Sequence, residues 1–344
     1  MRFDPRKGML RDRYGRVARD VRVSLTDRCN LRCAYCMPAE GLEWLPTENT
    51  LTDEEILRLI RISLDLLGVE EIRFTGGEPL LRRSLESIAA SCKEMRTHLG
   101  TTPSMAITTN GLGLDKRAKG LVEAGITRAN ISLDSLNKER YAQIARRDRL
   151  PDALRGIEAA SDVGMSPIKI NAVAMKGINE DEVGDLLAFC LDHGYHLRFI
   201  EQMPLGPAHG WRRDQLLTQE DILTRLSERF ELTPSSEPRG AAPAELWDVV
   251  ESDDHPAGDV GVIASVTNPF CDACDRTRLT ADGQLRTCLF ADKETDLRTP
   301  MRDGATDEEI AEIWIGATFE KQAGHGMSRP DFKAPERTMS RIGG

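Results

Sequence analysis

Apolar residues over the first two hundred positions follow two alternating rhythms. Short runs with an apolar residue at every second position read as strands. They cover 20–26 (DVRVSLT), 70–75 (EEIRFT), 104–109 (SMAITT), 128–133 (RANISL), 167–174 (PIKINAVA) and 196–201 (HLRFIE). The segments between them carry apolar residues at helical spacing. The first begins at Thr52-Asp53-Glu54-Glu55, a good N-cap region, and places Ile56, Leu59, Ile60, Ser63, Leu64 and Leu67 on one face. Further helices are expected near 82–97, 115–124, 137–146, 152–163 and 181–193. Strand–helix units in series predict a parallel sheet with right-handed crossovers. A closed barrel takes eight such units. The expected fold is therefore α/β, a partial (βα)6 TIM-like barrel that stays open.

After residue 201 the rhythm changes. Residues 203–218 read as a loop, 219–229 as a helix, and SSEPRGAAPAE as a Pro/Gly/Ala-rich connector. Strands follow at 245–251, 260–267 and 276–280, with a turn at Asp282-Gly283 and a helix over 306–315. The expected division is a barrel domain with an N-terminal extension over 1–202, and a small α+β region over 203–344 that closes the barrel mouth.

Composition narrows the function. The chain has 344 residues, 40% of them hydrophobic and 30% charged, so a core can form. A net charge of −10 and 5% aromatics argue against a general nucleic-acid binder. No apolar run is long enough to predict a membrane span. The opening MRFDPRKGMLRDRYGR is too charged for a secretory signal. The expectation is a cytoplasmic protein.

Cysteine placement is more informative. The eight cysteines stand at 29, 33, 36, 92, 190, 271, 274 and 288. Where thiols stay reduced, clustered cysteines more often bind metal than pair. Cys29, Cys33 and Cys36 form a CxxxCxxC loop directly after the first strand, where such folds place chemistry. A saturated iron–sulfur cluster takes four protein ligands, so three leave one iron free to bind a substrate or cofactor. Thr75-Gly76-Gly77-Glu78-Pro79 follows the second strand. Its glycines permit close backbone approach, and Glu78 can accept hydrogen bonds from an ammonium group. Cys271 and Cys274 form a CxxC turn, with Cys288 further on. A zinc ribbon would want a second CxxC or a histidine, and neither His255 nor His325 has a typical spacing. Structural zinc with a distant fourth ligand, or a second cluster facing the barrel mouth, both fit. Cys92 and Cys190 lie within predicted helices and read as buried thiols.

Each of four strands also carries a cation flanked by apolar residues: Arg22, Arg73, Lys169 and Arg198. Alternation puts each on the face opposite its neighbours. Interior cations are costly without counter-charge, which an anionic ligand or nearby carboxylates would supply.

The CxxxCxxC loop, with Tyr35 before its third cysteine, resembles the radical S-adenosylmethionine (SAM) superfamily. The resemblance implies a partial barrel with a 4Fe-4S cluster on Cys29, Cys33 and Cys36. SAM would chelate the open iron and be cleaved to methionine and a 5′-deoxyadenosyl radical. It further implies SAM contacts at Tyr35, Gly77, Glu78 and Ser132. The stretches VSLTDRCNLRCAYCMP, IRFTGGEPLLR, ITTNG, ISLDS, HLRFIEQMP, FCDACDRTRLTADGQLRTCLF and the terminal IGG narrow the resemblance to the GTP 3′,8-cyclase family, which acts first in molybdenum cofactor biosynthesis. That family implies a second 4Fe-4S cluster on Cys271, Cys274 and Cys288 that binds GTP. It implies GTP contacts at Arg22, Arg73, Thr108, Lys169, Arg276, Thr277 and Arg278, and a SAM contact at Met203. Arg276, Arg278, Gly343 and Gly344 would serve catalysis. The reaction implied is abstraction of the ribose C3′ hydrogen and attack of C3′ on guanine C8. An external electron donor and a transient encounter with the next pathway enzyme are implied, with no nucleic-acid or membrane partner and a monomer or homodimer as assembly. Two competing readings are a peptide-modifying radical SAM enzyme with an auxiliary cluster, and a non-enzymatic zinc protein.

Overall fold

The computed structural model describes residues 9–206, 211–291, 293–327 and 332–343. Six strands follow the alternating segments closely: Asp20–Ser24 (β1), Glu71–Thr75 (β2), Ser104–Thr109 (β3), Arg128–Ser132 (β4), Ile168–Ala174 (β5) and His196–Glu201 (β6). Between them lie Asp53–Asp65 (α1), Leu85–Lys93 (α2), Leu114–Glu123 (α3), Lys138–Ala145 (α4), Leu150–Asp162 (α5) and Val183–Asp192 (α6). Thr52 caps α1 reciprocally with Glu55, which satisfies two otherwise orphaned donors. The expected helix over 82–97 starts later, because Glu78 caps a 3₁₀ turn at Pro79–Leu81 first.

Beyond residue 201 come Gln219–Ser227 (α7), Leu232–Pro234 (β7), Glu245–Val249 (β8), Gly258–Ile263 (β9), Arg276–Leu279 (β10), Gln284–Arg286 (β11) and Thr295–Asp296 (β12). Arg298–Arg302 (α8), Asp307–Phe319 (α9) and Met339–Ile342 (α10) complete the chain. These later strands do not build a sheet of their own. Among the described residues all twelve strands form one sheet, ordered β12-β11-β10-β1-β2-β3-β4-β5-β6-β9-β8-β7. β10 pairs parallel to β1, and β9 pairs parallel to β6. The parallel part therefore runs β10-β1-β2-β3-β4-β5-β6-β9, two strands wider than the serial units predict. Antiparallel hairpin partners finish each edge.

Register divides the sheet into two unlike faces. Val21, Val23, Ile72, Phe74, Met105, Ile107, Ile131, Ile170, Leu197, Phe199, Val260 and Val262 are buried in the main core. Burying each such side chain contributes about 1.5–3 kcal/mol. Cys92 and Cys190 are fully buried in that core too. A smaller cluster joins Leu205, Leu216, Val266, Phe290, Met327 and Ile342, with Met203, Cys288 and Met339 packed against it. No helix among the described residues is long and apolar enough to cross a membrane.

Candidate active site

The opposite face of the sheet is polar, and in-register pairing aligns its side chains. Asp20 and Arg22 stand between Arg276 and Arg278 of β10 and Glu71 and Arg73 of β2. Ala106 and Thr108 of β3 continue the rows, followed by Arg128, Asn130 and Ser132 of β4. Lys169 and Asn171 of β5 and His196 and Arg198 of β6 complete them. The four strand cations expected to share a face do share it, and Arg128, Arg276, Arg278 and Arg286 join them. Arg128, Asn130 and Arg286 carry no sequence signal of their own. They become visible only through register.

Compensation on this face is incomplete. Arg73 contacts Glu71 at 2.5 Å and Asp20 at 3.6 Å, whereas Arg22 reaches Asp20 only at 3.8 Å. Arg276 lies over the Phe270 ring at 4.7 Å. Among the described residues, Nε of Arg22, Arg73, Arg276 and Arg286, Nη2 of Arg276, Oδ1 of Asp20 and Oγ1 of Thr75 are buried without a hydrogen-bond partner. All of them project from this face. Buried polar atoms are normally paired, so a concentration of orphaned guanidinium nitrogens marks a place for an anion. Burial and the charge of neighbouring arginines hold Arg22 well below its ordinary pKa. The same two causes bring Arg278 down to about 10. Burial, with Arg73, brings Arg198 to about 9.

Thr277 departs from the set. It alternates away from Arg276 and Arg278, and its hydroxyl accepts a hydrogen bond from Trp314 Nε1 of α9 at 3.1 Å. Its side chain is part of the core packing and does not reach the polar face.

The first cysteine loop lies beyond the C-terminal end of β1. Its backbone is tied to α4 by Arg32 N and Ala34 N, which donate to the carbonyls of Ala145 and Ile144. Gly77 N donates to Thr26 O at 2.7 Å, and Glu78 N to Arg28 O at 2.8 Å. A Cβ on Gly77 would meet the Arg28 carbonyl and lie 2.5 Å from that of Asp27. The double glycine thus lets the second strand's turn pack directly on the cysteine loop. Glu78 is buried, and its carboxylate accepts from Leu80 N (3.0 Å), Thr109 Oγ1 (2.7 Å) and Asn110 N (2.8 Å). Burial outweighs those bonds and raises it to about 7. Tyr35 donates its hydroxyl to Asp134 at 2.8 Å, and Asp134 also accepts from Val173 N. Ser132 closes β4 on the polar face.

The cysteines are free thiols. Burial and then Glu78 lift Cys29 to about 11. Burial and then Cys29 lift Cys36 to about 12. Burial, then Asp134 and the two other thiols, raise Cys33. Binding a metal centre here must therefore displace protons. Among the described residues no three His, Cys, Asp or Glu side chains converge closely enough for a single metal ion.

The second triplet sits at the other end of the strands. Cys271 and Cys274 precede β10, whose first residue, Arg276, lies opposite Asp20 at the start of β1. β11 runs antiparallel to β10 and carries Cys288 back toward the same level. The expectation that this triplet faces the C-terminal ends of the strands is corrected. Parallel pairing of β10 with β1 puts the residues immediately before β10 at the N-terminal end of β1. The polar face thus lies between two cysteine triplets. The second has a different electrostatic setting. Burial alone would raise Cys274, but Arg276 and Lys321 overcome it and bring the thiol to about 7. Lys321 carries no motif and is identified only by the structure.

The terminal segment returns to the C-terminal ends of the strands. Arg337 pairs with Asp282 at 2.9 Å and Glu294 at 2.7 Å, anchoring α10. Gly343 has φ +90°, and a Cβ there would lie 2.9 Å from Ser24 Cβ and Thr75 Oγ1. Arg278 Nη1 donates to its carbonyl at 2.5 Å. Gly344 lies outside the described residues. Met203 packs in the smaller apolar cluster together with α10.

Known proteins match this arrangement. The sequence model of the radical SAM superfamily matches residues 23–190. A second, described as Molybdenum Cofactor Synthesis C, matches 195–327. Among solved structures, Streptococcus suis SuiB bound to S-adenosylmethionine aligns with TM-score 0.57 and 16% identity over 92% of this chain and 69% of that one. Native anSMEcpe with bound AdoMet aligns with TM-score 0.55 and 16% identity, over 92% and 84%. At that identity these neighbours speak to the fold alone: an α/β protein with a parallel sheet. Closer relatives narrow the class. A GTP 3′,8-cyclase from Corynebacterium glutamicum is 58% identical over 98% of this chain and 89% of that protein. Those from Streptomyces coelicolor and Mycolicibacterium smegmatis are 57% and 55% identical, over 98% and 99% of this chain and 96% and 93% of theirs. The chain belongs to the GTP 3′,8-cyclase family.

Proposed function

We propose that the protein is a radical SAM lyase that converts GTP to 3′,8-cyclo-7,8-dihydro-GTP, the first step of molybdenum cofactor biosynthesis. The observation that carries this reading is the polar face: an array of buried, under-compensated arginines between two cysteine triplets. A triphosphate supplies the missing negative charge, and guanidinium groups bind phosphate oxygens in pairs.

The cysteine sets fit iron–sulfur clusters. Each triplet brings three thiols close enough to act on one another electrostatically. Cys29, Cys33 and Cys36 would hold the cluster that binds SAM. Cys271, Cys274 and Cys288 would hold a second that faces the substrate. Bound there, the first cluster and SAM supply the one-electron chemistry that removes the ribose C3′ hydrogen.

The chain's own residues bind and orient. Arg22, Arg73, Lys169, Arg276 and Arg278 neutralise the phosphates, with Thr108 beside them. Tyr35 is fixed by Asp134 and shapes the SAM side together with Gly77, Ser132 and Met203. Glu78 offers the lone pair its three chain donors leave free. Gly343 brings a carbonyl to Arg278 without a side chain in the way, so Arg278 is oriented toward substrate. The Thr277 side chain is set aside.

The architecture supports a sheet curled into a partial (βα)6 barrel whose edges the C-terminal strands extend. Arg198 of β6 donates to Asn171 at 3.0 Å and also to Asn130 of β4. The charge of Arg73, four strands away on β2, depresses Arg198. Side chains that far apart on a flat sheet, at about 4.8 Å per strand, would not act on each other so strongly. Residues 1–202 then form the barrel domain, and 203–344 supply the second cluster and the tail that closes the mouth.

The test is turnover of GTP with SAM and dithionite by anaerobically reconstituted protein. Product of GTP mass, with deuterium passing from C3′-labelled GTP into 5′-deoxyadenosine, supports the reading. Formation of 5′-deoxyadenosine that is indifferent to GTP contradicts it and favours another radical SAM substrate.

A further inference from the structure

Lys321 follows α9 and is only 4% exposed. Its ammonium lies 3.2 Å from Cys274 Sγ, 3.3 Å from the Cys274 carbonyl and 3.0 Å from the Arg276 carbonyl. Among the described residues no carboxylate forms an ion pair with it. A buried ammonium without counter-charge is costly. Two carbonyl dipoles and a neutral thiol compensate it poorly, whereas a ligating thiolate compensates it well. Arg276 adds a second positive charge on the same side, since its side chain is buried next to Cys274 in sequence and space.

The first triplet has the opposite surroundings. The buried carboxylates of Glu78 and Asp134 act on Cys29 and Cys33. The donors hydrogen-bonded to Cys29 are neutral, Asn110 Nδ2 at 3.9 Å and the backbone of Leu31 and Asn30, and the charge of Arg32 offsets that of Glu78 only in part.

Hydrogen bonds to the sulfurs and local charge set the potential of an iron–sulfur cluster. A positive charge stabilises the reduced, more negative state. We propose that Lys321 is a positioning residue whose charged N–H···S hydrogen bond to Cys274 holds the cluster of the second triplet at a higher reduction potential than that of the first. The inference rests on the proposed second cluster. It orders the pair so that the stronger reductant is the cluster next to SAM.

The test uses the full-length protein, reconstituted anaerobically, with Lys321→Met, Lys321→Gln and Lys321→Arg. Iron per chain is measured, and each cluster is titrated potentiometrically by EPR. The expected result is unchanged iron, and a midpoint of the second cluster that moves negative in Lys321→Met and less far in Lys321→Gln. Lys321→Arg should restore it, and the first cluster should not move. An unmoved second midpoint in Lys321→Met at full iron overturns the proposal. Loss of the second cluster in all three variants makes Lys321 structural and also overturns it. The underlying reading fails differently. In that case a Cys29→Ala/Cys33→Ala/Cys36→Ala protein, with Lys321 intact, takes up no iron at all.

Discussion

Single side chains on β10 show how far one strand position changes a role. Arg276 and Arg278 face the polar side, and Thr277 between them faces Trp314. Thr277→Val should lower stability by about 1–3 kcal/mol, because Trp314 loses a buried acceptor, while KM for GTP stays the same. Denaturant unfolding and steady-state kinetics check the two parts. A raised KM with unchanged stability would return Thr277 to the site. Arg278→Ala removes a charged donor to Gly343 and, on the proposed function, a phosphate ligand. Hydrogen bonds to charged groups contribute about 1.5–3 kcal/mol each, so kcat/KM for GTP should fall by one to two orders of magnitude at unchanged iron content.

Glu78 provides a test of the buried carboxylate. Its folded pKa, about 7, lies above the ordinary 4.5. Protonation therefore stabilises the fold below about pH 4.5, and that stability is lost as pH rises through 7. In the iron-free protein, the stability of wild type relative to Glu78→Gln should fall across that window. Parallel pH profiles for the two proteins would contradict the shift.

At the scale of elements, the strands were the most readable feature. Period-two alternation locates β1 to β6 within a residue or two, because one face meets helices and the other does not. The same alternation puts Arg22, Arg73, Lys169 and Arg198 together. Pairing partners distant in sequence leave no local trace. Nothing in residues 258–263 or 276–279 shows that these strands extend opposite edges of the first sheet. For the same reason the level of the second triplet is not legible in the sequence, since it depends on β10 running parallel to β1. β7, β11, β12 and α8 are too short to carry a rhythm. Lys321 lies in a loop and has no pattern to reveal it.

Two loops supply the predictions at this scale. Gly77→Ala would press a methyl group on the carbonyls of Asp27 and Arg28. It should displace the first cysteine loop and halve the iron per chain, leaving the second cluster's EPR signal. Full iron content would show that the turn yields. A chain ending at Ile342 loses the carbonyl that Arg278 holds. It should keep its iron and lose cyclisation, and full activity would remove the tail from the mechanism.

The whole molecule is an arrangement of charge along the strands. Buried carboxylates act on the thiols at one end and cations on Cys274 at the other, and between them lie arginines only partly matched by counter-ions. On the proposed function, GTP lies with its phosphates on the polar face and its base toward the second triplet. The central claim is that the second triplet holds an open cluster facing GTP. The most direct measurement is iron content and EPR of the Cys29→Ala/Cys33→Ala/Cys36→Ala protein with and without GTP. About four irons per chain, as one 4Fe-4S cluster requires, and a signal that GTP perturbs are the predicted result. Zinc in place of iron, or a cluster signal indifferent to GTP, would contradict the account.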